Sequence, residues 1–121
     1  MKSYLDLDIY NAAFNLAVEV HHLSKQLPKS ENYELGSQVR RSAQSIRANI
    51  AEGYGRRKYK NEFIRFLIFA EASLFETESH LRMIHQLYGN TPTSLLENYK
   101  QLGKQLRSFI LYVEKSWQTN N

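Results

Sequence analysis

The sequence predicts an all-α protein, an antiparallel up-down-up-down four-helix bundle, and three observations support this fold class. Apolar residues recur at alternating spacings of three and four along four long stretches, which is the spacing of one face of an α-helix. Glycine and proline separate the stretches, and no alternation typical of β-strands competes with them. Since short connections place consecutive helices antiparallel, the 121 residues are expected to form a single domain, 1–121.

Residues that end helices set the predicted bounds. Pro28 stops the first helix, and Gly53 and Gly55 are expected to end the second by adopting a positive φ. Gly89 and Pro92 separate the third helix from the fourth. The four predicted helices span about residues 8–27, 33–53, 59–88 and 93–117.

The third predicted helix has more apolar side chains than one bundle can cover. When Phe63, Leu67 and Leu74 face the core, other large apolar residues of the same helix point outward, and the first helix shows a similar surplus. An exposed apolar patch of this kind marks an interface, so we predict self-association; the alternative is that a neighbouring helix covers the patch. The predicted interface residues are Phe14, Val18, Ile68, Phe69, Ala72 and Phe75.

Positive charge is concentrated in the second helix and the turn that follows it. The chain carries 16 Lys and Arg against 12 Asp and Glu, a net charge of +4. Between residues 40 and 65, eight cations face only Glu52 and Glu62, a local balance of +6. Cations interleaved with Tyr54 and Tyr59 suit phosphate contacts and base stacking; a solvated face, or pairing with acids of another subunit, is the alternative. The predicted nucleic-acid-binding residues are Arg40, Arg41, Arg47, Arg56, Arg57, Lys58, Lys60 and Arg65.

The sequence offers little for other chemistry. It contains no cysteine, which excludes disulfides, thiolate metal ligands and a cysteine nucleophile. A di-iron site in a four-helix bundle needs two inward Glu-x-x-His motifs, and only Glu19 to His22 has that spacing. We therefore expect no catalytic residue, no metal and no cofactor. Because no secretory signal or membrane span is recognisable, the expected compartment is the cytoplasm, with no membrane partner.

The second helix and its exit carry a more specific pattern. The run from Gln38 to Gly55 contains Ser-Ile-Arg-Ala-Asn-Ile-Ala-Glu-Gly at residues 45–53. This run resembles the signature of the 23S rRNA intervening-sequence protein family, bacterial four-helix-bundle proteins, and the resemblance extends from Leu7 to Trp117. The chain departs from the family pattern in two places: Arg47 stands where proline is usual, and Glu71-Ala72 replaces a common Arg-Gly, which removes a positive charge.

The resemblance implies a homopentameric ring of left-handed bundles without catalytic residues. Family members are named for reading frames within insertions in 23S rRNA genes. A relative, the accessory variability determinant of diversity-generating retroelements, is a basic pentamer that binds nucleic acid and a reverse transcriptase. In the family motif, Asn49, Glu52 and Gly53 are expected to close the exit of the second helix as a structural device.

The expected function is therefore non-enzymatic binding of RNA or another nucleic acid by a homo-oligomer. The alternative is a protein-interaction module, in which the basic residues contact a protein partner such as a polymerase or reverse transcriptase.

Overall fold

The computed structural model describes residues 2–118 and shows four α-helices. The helices are α1 (Asp8–Lys25), α2 (Leu35–Gly55), α3 (Lys60–Tyr88) and α4 (Thr93–Ser116), and two single 3-10 turns, Tyr4–Asp6 and Lys29–Glu31, precede α1 and α2. The predicted all-α class is confirmed, and every predicted helix bound lies within two residues of the observed one.

The helices form a square in cross-section. Helix α1 packs on α2 and α4, and α3 packs on the same two helices; within residues 2–118 the diagonal pairs, α1 with α3 and α2 with α4, make no comparable contact. The turns 56–59 and 89–92 are too short to return the chain along a helix, so consecutive helices run antiparallel. The largest side chains at the centre of the square are completely buried: Tyr99, Phe63, Ile46, Ile50, Leu67, Leu74, Leu81 and Ile84.

Helices α2 and α3 share the most extensive contact of any helix pair, and small polar side chains line part of it. The hydroxyl oxygens of Ser42 and Thr77 lie 2.8 Å apart, and those of Ser45 and Ser73 lie 2.9 Å apart. Asn49 extends this row, since its amide donates to the backbone oxygen of Ser45 at 2.8 Å and to its hydroxyl at 2.9 Å. Short side chains let the two helix backbones approach closely, while every hydroxyl in the row has a partner.

The predicted positive φ at Gly53 and Gly55 is wrong. Among residues 2–118 only Gly89 has a positive φ, 67°, and it ends α3, whereas α2 continues helically through Gly53 to Gly55. Gly53 is buried against α3, where a Cβ would lie 3.0 Å from the Cβ of Phe66 and 3.4 Å from a ring carbon of Phe63. The absence of a side chain at Gly53 therefore permits close helix packing rather than a helix end.

We expect Gly53→Val to lower the free energy of unfolding by about 1–3 kcal/mol, because the added carbons overlap rigid atoms of α3. Gly55→Val is the matched control, since no atom lies within 4 Å of a Cβ at that position. Urea unfolding followed by circular dichroism at one protein concentration would measure both changes. Equal effects of the two substitutions would contradict the packing role of Gly53.

Candidate nucleic-acid interface

The eight predicted cations do not form one continuous surface. Arg57, Lys58 and Lys60 lie in or directly after the turn between α2 and α3, at one end of the bundle. We call residues 56–60 the basic turn. Arg41 is exposed but precedes the end of α2 by 14 residues, which places it about 21 Å from that turn along the helix axis. Arg41 is therefore a separate charge.

Arg40 is engaged inside the fold. Its guanidinium donates hydrogen bonds to the Ser24 hydroxyl at 2.9 Å and to the backbone oxygen of Asn32 at 2.9 Å, and the side chain is half-buried. These contacts tie the start of α2 to the end of α1 and to the connection between them. The guanidinium of Arg40, one of the predicted nucleic-acid-binding groups, is therefore occupied by two oxygens within the fold.

Arg47 lies nearer to the predicted oligomer interface than to the basic turn. Its guanidinium donates to the Gln44 amide oxygen at 3.0 and 2.7 Å and lies 6.0 Å from the Phe14 ring centre. Together with Phe14 and Val18 it lines a groove between α1 and α2. No acidic side chain of residues 2–118 pairs with Arg47, so it brings a positive charge to a groove whose lining combines apolar side chains with His21, His22 and Gln44.

Arg56 and Arg65 are paired with acidic residues. Arg56 reaches Glu52 and Glu62, each at 3.3 Å, and Arg65 reaches Glu62 at 3.2 Å. The Phe66 ring lies under both guanidinium groups, 4.6 Å from that of Arg56 and 5.7 Å from that of Arg65. These exposed pairs partly neutralise Arg56 and Arg65, so the two side chains attract a polyanion less strongly than unpaired arginines would. The pairing also gives Glu52 a direct role at the exit of α2.

Three cations of the basic turn remain without an acidic partner among residues 2–118: Arg57, Lys58 and Lys60. The Arg57 guanidinium lies 4.1 Å from the Tyr54 ring centre and donates to the Tyr54 backbone oxygen at 3.0 Å, so its position is fixed. Lys58 is exposed, and its ammonium lies 5.9 Å from the Tyr59 ring centre. This cluster is the strongest candidate for anion binding in the described part of the chain.

An aromatic cluster at the end of α4 contacts the basic turn, and the sequence did not predict it. The Trp117 indole nitrogen donates to the backbone oxygen of Arg57 at 3.4 Å, and its ring packs edge-on against Phe63 with centres 5.1 Å apart. Tyr112 meets Trp117 at 6.3 Å. The only sequence signal is a single tryptophan at the end of the last predicted helix, which does not indicate where the ring packs.

All six predicted interface residues are exposed, but they lie on more than one surface. Phe14 and Val18 line the α1–α2 groove, whereas Phe75, with 60% of its surface exposed, lines grooves between α3 and α4. These grooves are on opposite sides of the square. Phe69 packs beside Phe66, with ring centres 5.4 Å apart. The apolar surplus therefore forms two separate surfaces rather than one stripe.

Glu71, which differs from the family pattern, pairs with Arg107 on α4. Its nearly buried carboxylate accepts two hydrogen bonds from the Arg107 guanidinium, and this contact raises the pKa of Arg107, which stays charged. Glu71 therefore joins α3 to α4 beside Phe75 rather than facing the basic turn.

Residues 2–118 show neither a set of metal ligands nor a membrane-spanning helix. No three His, Asp or Glu side chains there come together in a way that could hold a metal ion, although His80 and Glu76 meet at 3.1 Å. None of the four helices combines the length and the apolar character required to cross a membrane.

Comparison with known proteins identifies the family. No curated protein matches the sequence significantly. A similar solved structure is a protein of unknown function from the S23 ribosomal protein family of Bacteroides thetaiotaomicron, with a TM-score of 0.75, 25% identity, and coverage of 84% of this chain and 97% of that chain. The family profile described as 23S rRNA-intervening sequence protein matches residues 5–108, nearly the whole bundle. The chain therefore belongs to the 23S rRNA-intervening sequence protein family.

Proposed function

We propose that the protein is a non-enzymatic, self-associating helical bundle that binds RNA through the basic turn. The observation that carries this proposal is the cluster of Arg57, Lys58 and Lys60, three cations at one end of the bundle with no acidic partner within residues 2–118. Phosphates attract such a cluster without reference to sequence, so binding would be sequence-tolerant.

Self-association would make these few cations effective. Three phosphate contacts from one copy give weak binding, but copies that act together on one strand bind with avidity. In a pentamer, as the resemblance to the family implies, about fifteen such cations would act on one RNA.

The two grooves that contain exposed phenylalanines support a particular mode of assembly. The α1–α2 groove with Phe14 and the α3–α4 grooves with Phe75 lie on opposite sides of each copy. Opposite and different surfaces suit a head-to-tail contact, in which one side of a copy packs on the other side of the next. Such contacts close into a ring when the rotation between copies permits it.

Filter binding of a single-stranded RNA oligonucleotide at several salt concentrations tests the proposal. We expect the logarithm of the binding constant to fall with the logarithm of salt concentration with a slope of about −2 for one copy, and more steeply for an oligomer. Absence of binding at about 50 mM salt would contradict RNA binding. A pull-down repeated after nuclease treatment distinguishes the alternative, since a protein partner held directly by the basic turn would survive digestion.

A further inference from the structure

We propose that the basic turn selects single-stranded nucleic acid, with unpaired bases stacked on Tyr59 and Tyr112. This inference rests on the proposed function and adds the class of nucleic acid that the site takes. It depends on exposed aromatic rings that the structure places around the unpaired cations.

The first ring belongs to the basic turn itself. Tyr59 precedes α3 and is 64% exposed, and within residues 2–118 its hydroxyl forms no hydrogen bond. Lys58 and Lys60 flank it in the chain, so a strand whose phosphates contact these lysines passes close to an accessible aromatic face. A base can stack on such a face whatever its identity.

The second ring comes from the end of α4. Tyr112 is 49% exposed and packs against Trp117, which itself contacts Phe63 and donates to the backbone of Arg57. This chain of contacts anchors the end of α4 to the basic turn through Trp117, and Tyr112 packs on the ring that makes this contact. The second ring is therefore supported by packed neighbours, which limits the conformational entropy lost when a base stacks.

Cations beside exposed aromatic rings favour binding of a single strand over binding of a duplex. Charge alone favours the duplex, because a double helix carries more phosphates per unit length. The bases of a duplex are stacked on one another and cannot reach Tyr59 or Tyr112, whereas those of a flexible strand can turn outward while its phosphates contact the cations. Preference for single strands would therefore be a direct sign of stacking.

The stacking surface also includes residues beyond the part of the chain that the family profile matches. The profile ends at residue 108, whereas Tyr112 and Trp117 follow it.

Trp117 provides a built-in reporter, because it is the only tryptophan in the chain and belongs to the cluster. The experiment compares three RNA probes of about 15 nucleotides: a single strand, its duplex, and an abasic strand with the same number of phosphates. We expect the single strand to bind about tenfold more tightly than the duplex and to quench Trp117 fluorescence. The abasic strand should bind through charge with little quenching.

Substitutions test the two rings directly. The double variant Tyr59→Leu, Tyr112→Leu should bind the single strand about tenfold or more weakly while its affinity for the abasic strand is unchanged. Tyr33→Leu is the matched control, because Tyr33 is 91% exposed but precedes α2, at the other end of the bundle. Circular dichroism would verify that all variants are equally helical.

The outcomes separate this inference from the proposed function. Equal affinity for single strand and duplex, equal quenching by the abasic strand, or an unchanged double variant would overturn stacking and leave charge-based RNA binding intact. If none of the three probes binds, the proposed function fails and the inference fails with it.

Discussion

Replacing Arg57, Lys58 and Lys60 together with glutamine is expected to weaken RNA binding at about 0.1 M salt by about 10- to 100-fold and to reduce the salt slope by about 2 for each copy in contact. These are the cations of the basic turn that have no acidic partner among the described residues. Each substitution removes one phosphate contact and the counterion release that accompanies that contact. Filter binding over a range of salt concentrations measures both quantities.

The matched control removes three charges from the opposite end of the bundle. Lys25, Lys29 and Arg41 are all exposed, and they lie at the end of α1, before α2 and in the first half of α2. Their replacement by glutamine lowers the net charge equally and should leave most of the affinity and the slope in place. If both triple variants lose affinity equally, attraction to the whole molecule, and not to the basic turn, accounts for binding.

Phe14→Glu and Phe75→Glu are each expected to reduce the assembly to single copies of 14.2 kDa, as measured by light scattering. Each change replaces the exposed phenylalanine of one of the two opposite grooves by a charge, which burial against another copy would desolvate. Both side chains are exposed in the single copy, so the bundle itself should remain folded.

A mixture of the two variants gives a sharper test. If the α1–α2 groove of one copy packs on the α3–α4 side of the next, each variant retains the surface that the other has lost. One intact contact can then form between unlike variants, and we expect mixed dimers but no larger species. Leu87→Glu, an exposed change on α3 outside both grooves, is the control and should not alter the mass. Unchanged mass for Phe14→Glu and Phe75→Glu would place the interface elsewhere.

The sequence predicted the helices well because their determinants are local. Apolar spacing reports the buried face of each helix, and residues such as Pro28 and Gly89 end helices through their own backbone preferences. The prediction for Gly53 is wrong because a glycine in a helix can either end the helix or allow another helix to approach closely. The difference depends on Phe66, a residue of the next helix, which a local pattern does not reveal.

The candidate site was predicted less completely, because its electrostatics depend on contacts between elements. Clustering in sequence identified the basic turn, but the pair between Arg56 and Glu62 forms across the turn. The engagement of Arg40 depends on a backbone oxygen of Asn32, for which no side-chain pattern exists. Trp117 reaches the turn only because α4 returns alongside α3.

The extensive packing of α2 on α3 bears on the order in which the bundle folds and assembles. These two helices make the most extensive contact, and only four residues join them, so closing their hairpin costs little chain entropy. The basic turn is the tip of that hairpin, and α1 precedes it in the chain whereas α4 follows it. A nascent chain therefore completes the positive tip before the α3–α4 side exists. In the proposed assembly, a strand can thus be encountered before a ring has both of the surfaces that it needs to close.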